Sequence, residues 1–220
     1  MFRLETYMDE LVKRLREIFR DRLLYVGLQG SYMRNEATEN SDIDVMVILD
    51  ELTVDALDSY KAIIEALENS EKSCGFICGK NEIDNWNPLE LCHLVHSTKD
   101  YYGTLADLIP QYSENDIINF IKVSLGNLYH EICHRYVHSD IEKNRKKLPS
   151  TYKSVFFILQ NIYFLRMGVF IQTKNEMLLI SKGIDKEVLE MSLFIKENDY
   201  NFSQAFELLL LWCKNTLSNL

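Results

Sequence analysis

Two short apolar runs, Leu23 to Leu28 and Val45 to Leu49, interrupt a chain patterned mostly on the helical period. Both are rich in Val, Ile and Leu, which predicts a pair of buried strands. Ahead of them, Tyr7, Leu11, Leu15 and Ile18 fall at 3.6-residue spacing, with Lys13, Arg14 and Arg16 off that stripe. This predicts an amphipathic helix over residues 5–20. After the second run, Thr53 is placed to cap a helix from Val54 to Leu67 with Leu57, Ile64 and Leu67 on its apolar face. Ser73 to Ile77 is a candidate third strand, weakened by Gly75 and by poor alternation. Asn87 as cap, Pro88 at the first helical position and Glu90 as the capping-box partner start a further helix that runs to about Ser97.

Past Tyr101-Tyr102-Gly103 the strand pattern disappears. Residues 114–138 carry Ile118, Ile121, Leu125, Leu128, Ile132 and Tyr136 on one helical stripe. A loop around Pro149, with Lys143, Arg145, Lys146 and Lys147, is expected before a second long helix from Ser150 to Phe170. Two more helices are expected at 186–197 and 203–217. Four helices with short connections predict an up-and-down bundle. The fold class expected is therefore α+β: a small mixed sheet with helices over residues 1–112, then an all-α bundle over 113–220.

Composition narrows the class. The 220 residues are 47% hydrophobic, enough to bury one large core or two small ones. Eight Gly and three Pro argue against a long flexible linker. A net charge of −9 leaves no basic footprint for gripping extended nucleic acid. Five cysteines without a regular framework suggest reduced thiols and a cytoplasmic setting. Met1 to Glu5 lacks an apolar signal core. Val155 to Ile171 is broken by Gln160, Asn161 and Arg166 and so predicts a buried helix rather than a membrane span.

The chemistry concentrates between the two strands. Gly30 removes a Cβ where a phosphate could approach the backbone, and Ser31 follows at a possible helix start, offering a hydroxyl and free amides to an anion. Asp42 and Asp44, two apart on a strand, project to one face, where paired carboxylates attract a hard cation such as Mg²⁺. A phosphate-cradling turn beside such a pair suits attack on a nucleotide α-phosphate.

Gly30-Ser31 followed by Ser41-Asp42-Ile43-Asp44 and an apolar strand resembles the nucleotidyltransferase superfamily that includes polymerase β. The likeness is strongest to its antibiotic-modifying and minimal bacterial members. Arg34 fits the Arg that often follows the Gly-Ser pair, and Asn35 stands where those proteins usually carry Gly. The resemblance implies transfer of a nucleoside monophosphate, AMP from ATP, to a hydroxyl of a small molecule such as an aminoglycoside-like antibiotic. It assigns two Mg²⁺ ions, bridged to the triphosphate, to Asp42 and Asp44, and nucleotide contacts to Gly30, Ser31 and Arg34. In the second half, Ile158 to Gly168 followed by Lys174 looks like the helical domain of aminoglycoside adenylyltransferases, which implies a nucleotide contact from Lys174. The Arg expected earlier on that helix is replaced by Gln160 or Asn161.

The family generally adds a third carboxylate from the next strand. Matching Trp86 to the Trp-and-Pro stretch of the streptomycin and spectinomycin enzymes puts that position near Cys74, with Glu71, Glu82, Asp84 and Glu90 as the nearest replacements. A catalytically weak regulatory module, or a partner in a toxin–antitoxin pair, is the alternative this substitution raises. A third pattern, His130-Glu131-Ile132-Cys133-His134, matches the zinc-hydrolase motif, with His138 extending the row. These histidines lie opposite the apolar stripe, and residues i and i+8 are about 12 Å apart along a helix, too far to close on one ion.

Overall fold

Among the described residues, four strands make a single sheet: β1 (Leu23–Leu28), β2 (Ile43–Leu49), β3 (Ser73–Gly79) and β4 (Lys99–Tyr102). Their order is β3-β2-β1-β4, with β1 antiparallel to both β2 and β4, and β2 parallel to β3. The sheet is therefore mixed. In the computed structural model, which describes residues 3–220, the chain divides between Tyr112 and Ser113 into two compact units. Met1 and Phe2, part of the segment read above as lacking a signal core, lie outside the described residues.

Alternation along β2 sorts the first unit into two cores. Ile43, Val45, Val47 and Leu49 pack with Leu23, Val26 and Leu28 against α1 (Leu4–Phe19) and α3 (Val54–Glu65). Met46 and Ile48 face the other way, with Tyr25, Cys78, Ile83 of α4 (Lys80–Asp84) and, beyond it, Trp86, Leu94 and Val95. A register shift between Leu23 and Tyr25 resets the alternation of β1. Leu94 and Val95 belong to α5 (Pro88–His96), so helices cover both faces.

Several stripes sit one position from their expected place. On α1 the buried face is Tyr7, Met8, Leu11, Leu15 and Phe19, while Ile18 is 58% exposed. The steps of three and four residues from Met8 to Phe19 follow the helix turn along the sheet and leave Ile18 at the margin. On α3, Thr53 caps the Ala56 amide as expected, but Ala56 and Ile63 are buried and Leu57 is exposed. Asn87 caps α5 through the Leu89 amide with Pro88 at the first position. Glu90 completes no capping box; its carboxylate accepts a 2.7 Å hydrogen bond from the Trp86 indole. The strand β4 was not expected, because Lys99-Asp100-Tyr101-Tyr102 shows no apolar alternation.

The second unit comprises α6 (Glu114–His138), α7 (Ile141–Met167), α8 (Lys174–Ile180), α9 (Gly183–Glu197) and α10 (Phe202–Ser218). Helices α6, α7, α9 and α10 pack in a ring, the expected four-helix bundle, and α8 is an additional short helix in the connection from α7 to α9. Ser113 and Asp116 form a capping box at the start of α6. Ile117 rather than Ile118 joins its buried face, and Tyr136 is exposed and stacks on Phe206 at 4.4 Å.

The loop expected around Pro149 is instead helix. Asp140 caps α7 nine residues before the proline, and Pro149 lies inside it. A proline deprives the carbonyl four residues earlier of its helical donor. That carbonyl belongs to Arg145, and it accepts a hydrogen bond from the Tyr200 hydroxyl instead. At the other end α7 stops at Met167, where Gly168 adopts φ +68 as a left-handed cap, short of the expected Phe170. Among the described residues no helix is long and apolar enough to cross a membrane.

Candidate active site

Gly30 and Asp44 meet. Gly30 opens the four-residue helix α2 (Gly30–Met33) directly after β1, with φ +69, a backbone region that disfavours any side chain. A Cβ built there would lie 1.9 Å from Asp44 Oδ2. The space that the missing side chain leaves is thus filled by the Asp44 carboxylate, which brings the turn and the acidic strand into one site. Ser31 is the second residue of this helix rather than its cap; the residue before the helix is Gln29.

Gln29, which no sequence motif marks, holds the turn in place. Its amide donates to the Asp44 carbonyl at 2.8 Å, and its side chain donates to Thr98 Oγ1 at 2.9 Å. The Thr98 hydroxyl in turn donates to the Leu94 carbonyl of α5 at 2.6 Å. The only signal for this role was its place directly before Gly30. Asn35, standing where relatives of the motif carry Gly, adopts φ +56. Asn is among the non-glycine residues that enter this region most readily, which explains why it serves there.

Asp42 is exposed just ahead of β2, and Asp44 is half-buried within it. Burial raises the Asp44 carboxyl above the usual carboxylate range, and the Asp42 charge adds to that rise. A hydrogen bond from the Cys74 thiol and the nearby Arg34 charge act the opposite way. In the parallel β2–β3 register Cys74 is the direct partner of Asp44. Burial and the Asp44 charge push its thiol up, so it stays protonated beside the carboxylate.

Arg34 is largely enclosed and pairs with Glu36, Nε to Oε2 at 3.0 Å. It also acts on His93 of α5, whose imidazole is held neutral with a pKa lowered to about 4, by burial first and then by Arg34 and His96. His93 and Glu36 were not singled out in the sequence, since nothing local marks them as neighbours of the acidic pair.

The four acids considered as replacements for a third carboxylate are occupied or exposed. Glu82 accepts from the Gly79 amide at 2.9 Å, Asp84 pairs with Lys80, and Glu90 holds Trp86. Glu71 is exposed in the turn before β3. Among the described residues no three His, Cys, Asp or Glu side chains form a group that could hold a metal. The donors available to a hard cation here are the Asp42 and Asp44 carboxylates. They suit Mg²⁺, which commonly takes one or two protein carboxylates and fills its remaining positions with phosphate oxygens and water.

Lys174 belongs to the second unit, at the first position of α8, with Nζ 5.9 Å from the Phe156 ring centre. Gln160 is buried and ties α7 to the following connection through the Ile171 carbonyl at 2.7 Å. His130, His134 and His138 form an exposed row with ring centres 5.8 and 4.7 Å apart. Glu131, which a zinc hydrolase would need as a base, is instead paired with Arg135 at 3.1 Å.

Residues 8–101 match the family model of the nucleotidyltransferase domain. A protein of Methanocaldococcus jannaschii named "Putative protein adenylyltransferase MJ1379" is 39% identical over 63 residues, which is 28% of this chain and 63% of that protein. The match thus spans a little under two thirds of this relative. A second protein of the same organism, "Putative protein adenylyltransferase MJ0604", is 33% identical over 75 residues, 31% of this chain and 75% of that protein. The fold resembles the crystal structure of spectinomycin adenyltransferase AAD(9) from Enterococcus faecialis with ATP and spectinomycin. The TM-score is 0.59 at 16% identity, covering 98% of this chain and 100% of that one.

Proposed function

Since the chain belongs to the nucleotidyltransferase superfamily, we propose that it transfers AMP from ATP, with Mg²⁺, to a hydroxyl of a small molecule such as an aminoglycoside-like antibiotic. The observation that carries this reading is the seating of the Asp44 carboxylate against Gly30, which makes the phosphate turn and the carboxylate pair a single site. Asp42 and Asp44 hold the cation. When bound, Mg²⁺ neutralises charge on the triphosphate and lowers the pKa of the attacking hydroxyl. The amides and hydroxyl of Gly30 and Ser31 bind the terminal phosphates, and Arg34 adds a charge-assisted contact there. Lys174 is assigned a nucleotide contact from the helical unit. The acceptor hydroxyl oxygen attacks the α-phosphorus and gives up its proton to solvent, the bond from that phosphorus to the bridging oxygen breaks, and pyrophosphate leaves.

Three observations support the donor and acceptor. The two archaeal relatives are named adenylyltransferases, and AAD(9), whose fold this chain shares, was solved with ATP and spectinomycin. A net charge of −9 favours a cationic acceptor. The relatives' names also favour a second reading, in which the acceptor hydroxyl belongs to a protein side chain.

The test is incubation with Mg²⁺, labelled ATP, GTP, CTP or UTP, and a panel of aminoglycosides and lincosamides. The expected result is pyrophosphate release with ATP and one of the small acceptors, abolished by Asp42→Asn or Asp44→Asn. Label appearing on a protein band instead would favour the second reading. Nucleotide binding without pyrophosphate release under any condition would refute transfer and leave a regulatory module.

A further inference from the structure

We infer that this site holds a single divalent cation, delivered with the nucleotide, and that Cys74 is the residue that keeps a second cation from being held. The inference rests on the carboxylate pair being a nucleotide–metal site.

The argument is one of donor supply. Two-cation phosphoryl-transfer sites set their ions about 3.5–4 Å apart, so each ion needs hard ligands beyond a shared carboxylate pair. One Mg²⁺ is satisfied by two carboxylates plus phosphate oxygens and water. A second must draw on the neighbouring strands. On one side of β2 the residue level with Asp44 is Gln29, whose side chain is committed to Thr98. On the other side it is Cys74. Alternation along β3 puts Phe76 and Cys78 on the same face as Cys74, so no carboxylate from that strand reaches this face.

Sulfur is a soft donor and a poor ligand for Mg²⁺, and the β2–β3 register sets Cys74 directly beside Asp44. Glu36, just past α2, is held by Arg34, and Asp100 of β4 accepts from the Tyr25 hydroxyl at 2.5 Å. The register thus places a soft sulfur donor at the position on β3 level with Asp44, where a further hard ligand would be needed.

The test counts bound Mn²⁺, as a stand-in for Mg²⁺, by equilibrium dialysis and electron paramagnetic resonance on the full chain saturated with α,β-methylene-ATP. The expected result is one Mn²⁺ per wild-type chain, one for Cys74→Ser, and two for Cys74→Asp or Cys74→Glu. Two Mn²⁺ on the wild type would overturn the inference and leave the nucleotide–metal reading intact. A folded Cys74→Asp and Cys74→Glu that both stay at one would overturn it as well. No Mn²⁺ on the wild type, or a count unchanged by Asp42→Asn with Asp44→Asn, would instead overturn the underlying reading and the inference with it. Should the acidic variants fail to fold, the wild-type count alone decides.

Discussion

Replacing Gly30 by Ala applies two separate insults, and the structure allows each to be sized. The first is conformational. At φ +69 an alanine sits in the left-handed region, at a cost of roughly 1–2 kcal/mol. The second is a collision. The new methyl would lie 1.9 Å from Asp44 Oδ2 and 2.8 Å from its Cγ. The carboxylate must therefore retreat by about 1.5 Å to reach ordinary contact. A shift of that size at a binding carboxylate is expected to weaken binding of the metal–nucleotide by on the order of 100-fold, by analogy with the penalty for ångström-scale misplacement of reacting groups.

A double-mutant cycle separates the two. With Asp44→Ala as the background the carboxylate is gone and only the Cβ, 3.2 Å away, remains, so Gly30→Ala should cost little beyond the conformational part. Urea unfolding of the four proteins would show a larger loss for Gly30→Ala in the wild type than in the Asp44→Ala background. Titration calorimetry with Mg²⁺ and α,β-methylene-ATP would show binding weakened on the order of 100-fold in the single glycine variant. Equal stability losses in both backgrounds, together with retained binding in Gly30→Ala, would refute the claim that Gly30 exists to admit the carboxylate.

Two further outcomes follow from groups outside the turn. His93 titrates near 6.5 when unfolded and near 4 when folded, so below pH 6.5 the unfolded chain takes up the proton first. Stability should fall as pH drops from about 6.5 towards 4 and be flat in this respect above it; His93→Gln should shallow that slope in urea titrations, and an unchanged slope would refute the assignment. Tyr200→Phe should cost about 1–2 kcal/mol by leaving the Arg145 carbonyl without its donor, and clearly less beside Pro149→Ala, whose new amide can serve that carbonyl. Strictly additive losses by thermal unfolding would exclude the compensation.

The parts of the molecule legible in the sequence are those specified locally. The β1–β2 pair announced itself by apolar content, and the caps at Thr53 and Asn87 by side chains that can reach only their own helix starts. Gly30, Ser31, Asp42 and Asp44 were visible because one turn and one strand end carry them. What escaped depends on partners distant in the chain. The β4 segment is a strand only because β1 offers an open edge to Lys99–Tyr102. Helix α8 is too short for a hydrophobic stripe to declare it. Gln29 acts through Thr98, 69 positions away. The role of Cys74 could be suspected from an alignment, but its contact with Asp44 follows from strand register, which periodicity does not encode.

The hydroxyl that Tyr200 lends to α7 also bears on how the second unit comes together. An uninterrupted helix can propagate from any nucleus, one residue at a time. Helix α7 has a break in its ladder at Pro149 that is mended from 55 positions away, so closing that loop carries an entropic cost before the contact forms. Its two halves can form early and independently, while their junction waits for the turn between α9 and α10 to dock. Hydrogen exchange should therefore find the amides around Arg145 opening together with that turn rather than with their neighbours along α7. A chain cut before Tyr200 would keep every residue of its longest helix and still have lost the group that makes it continuous.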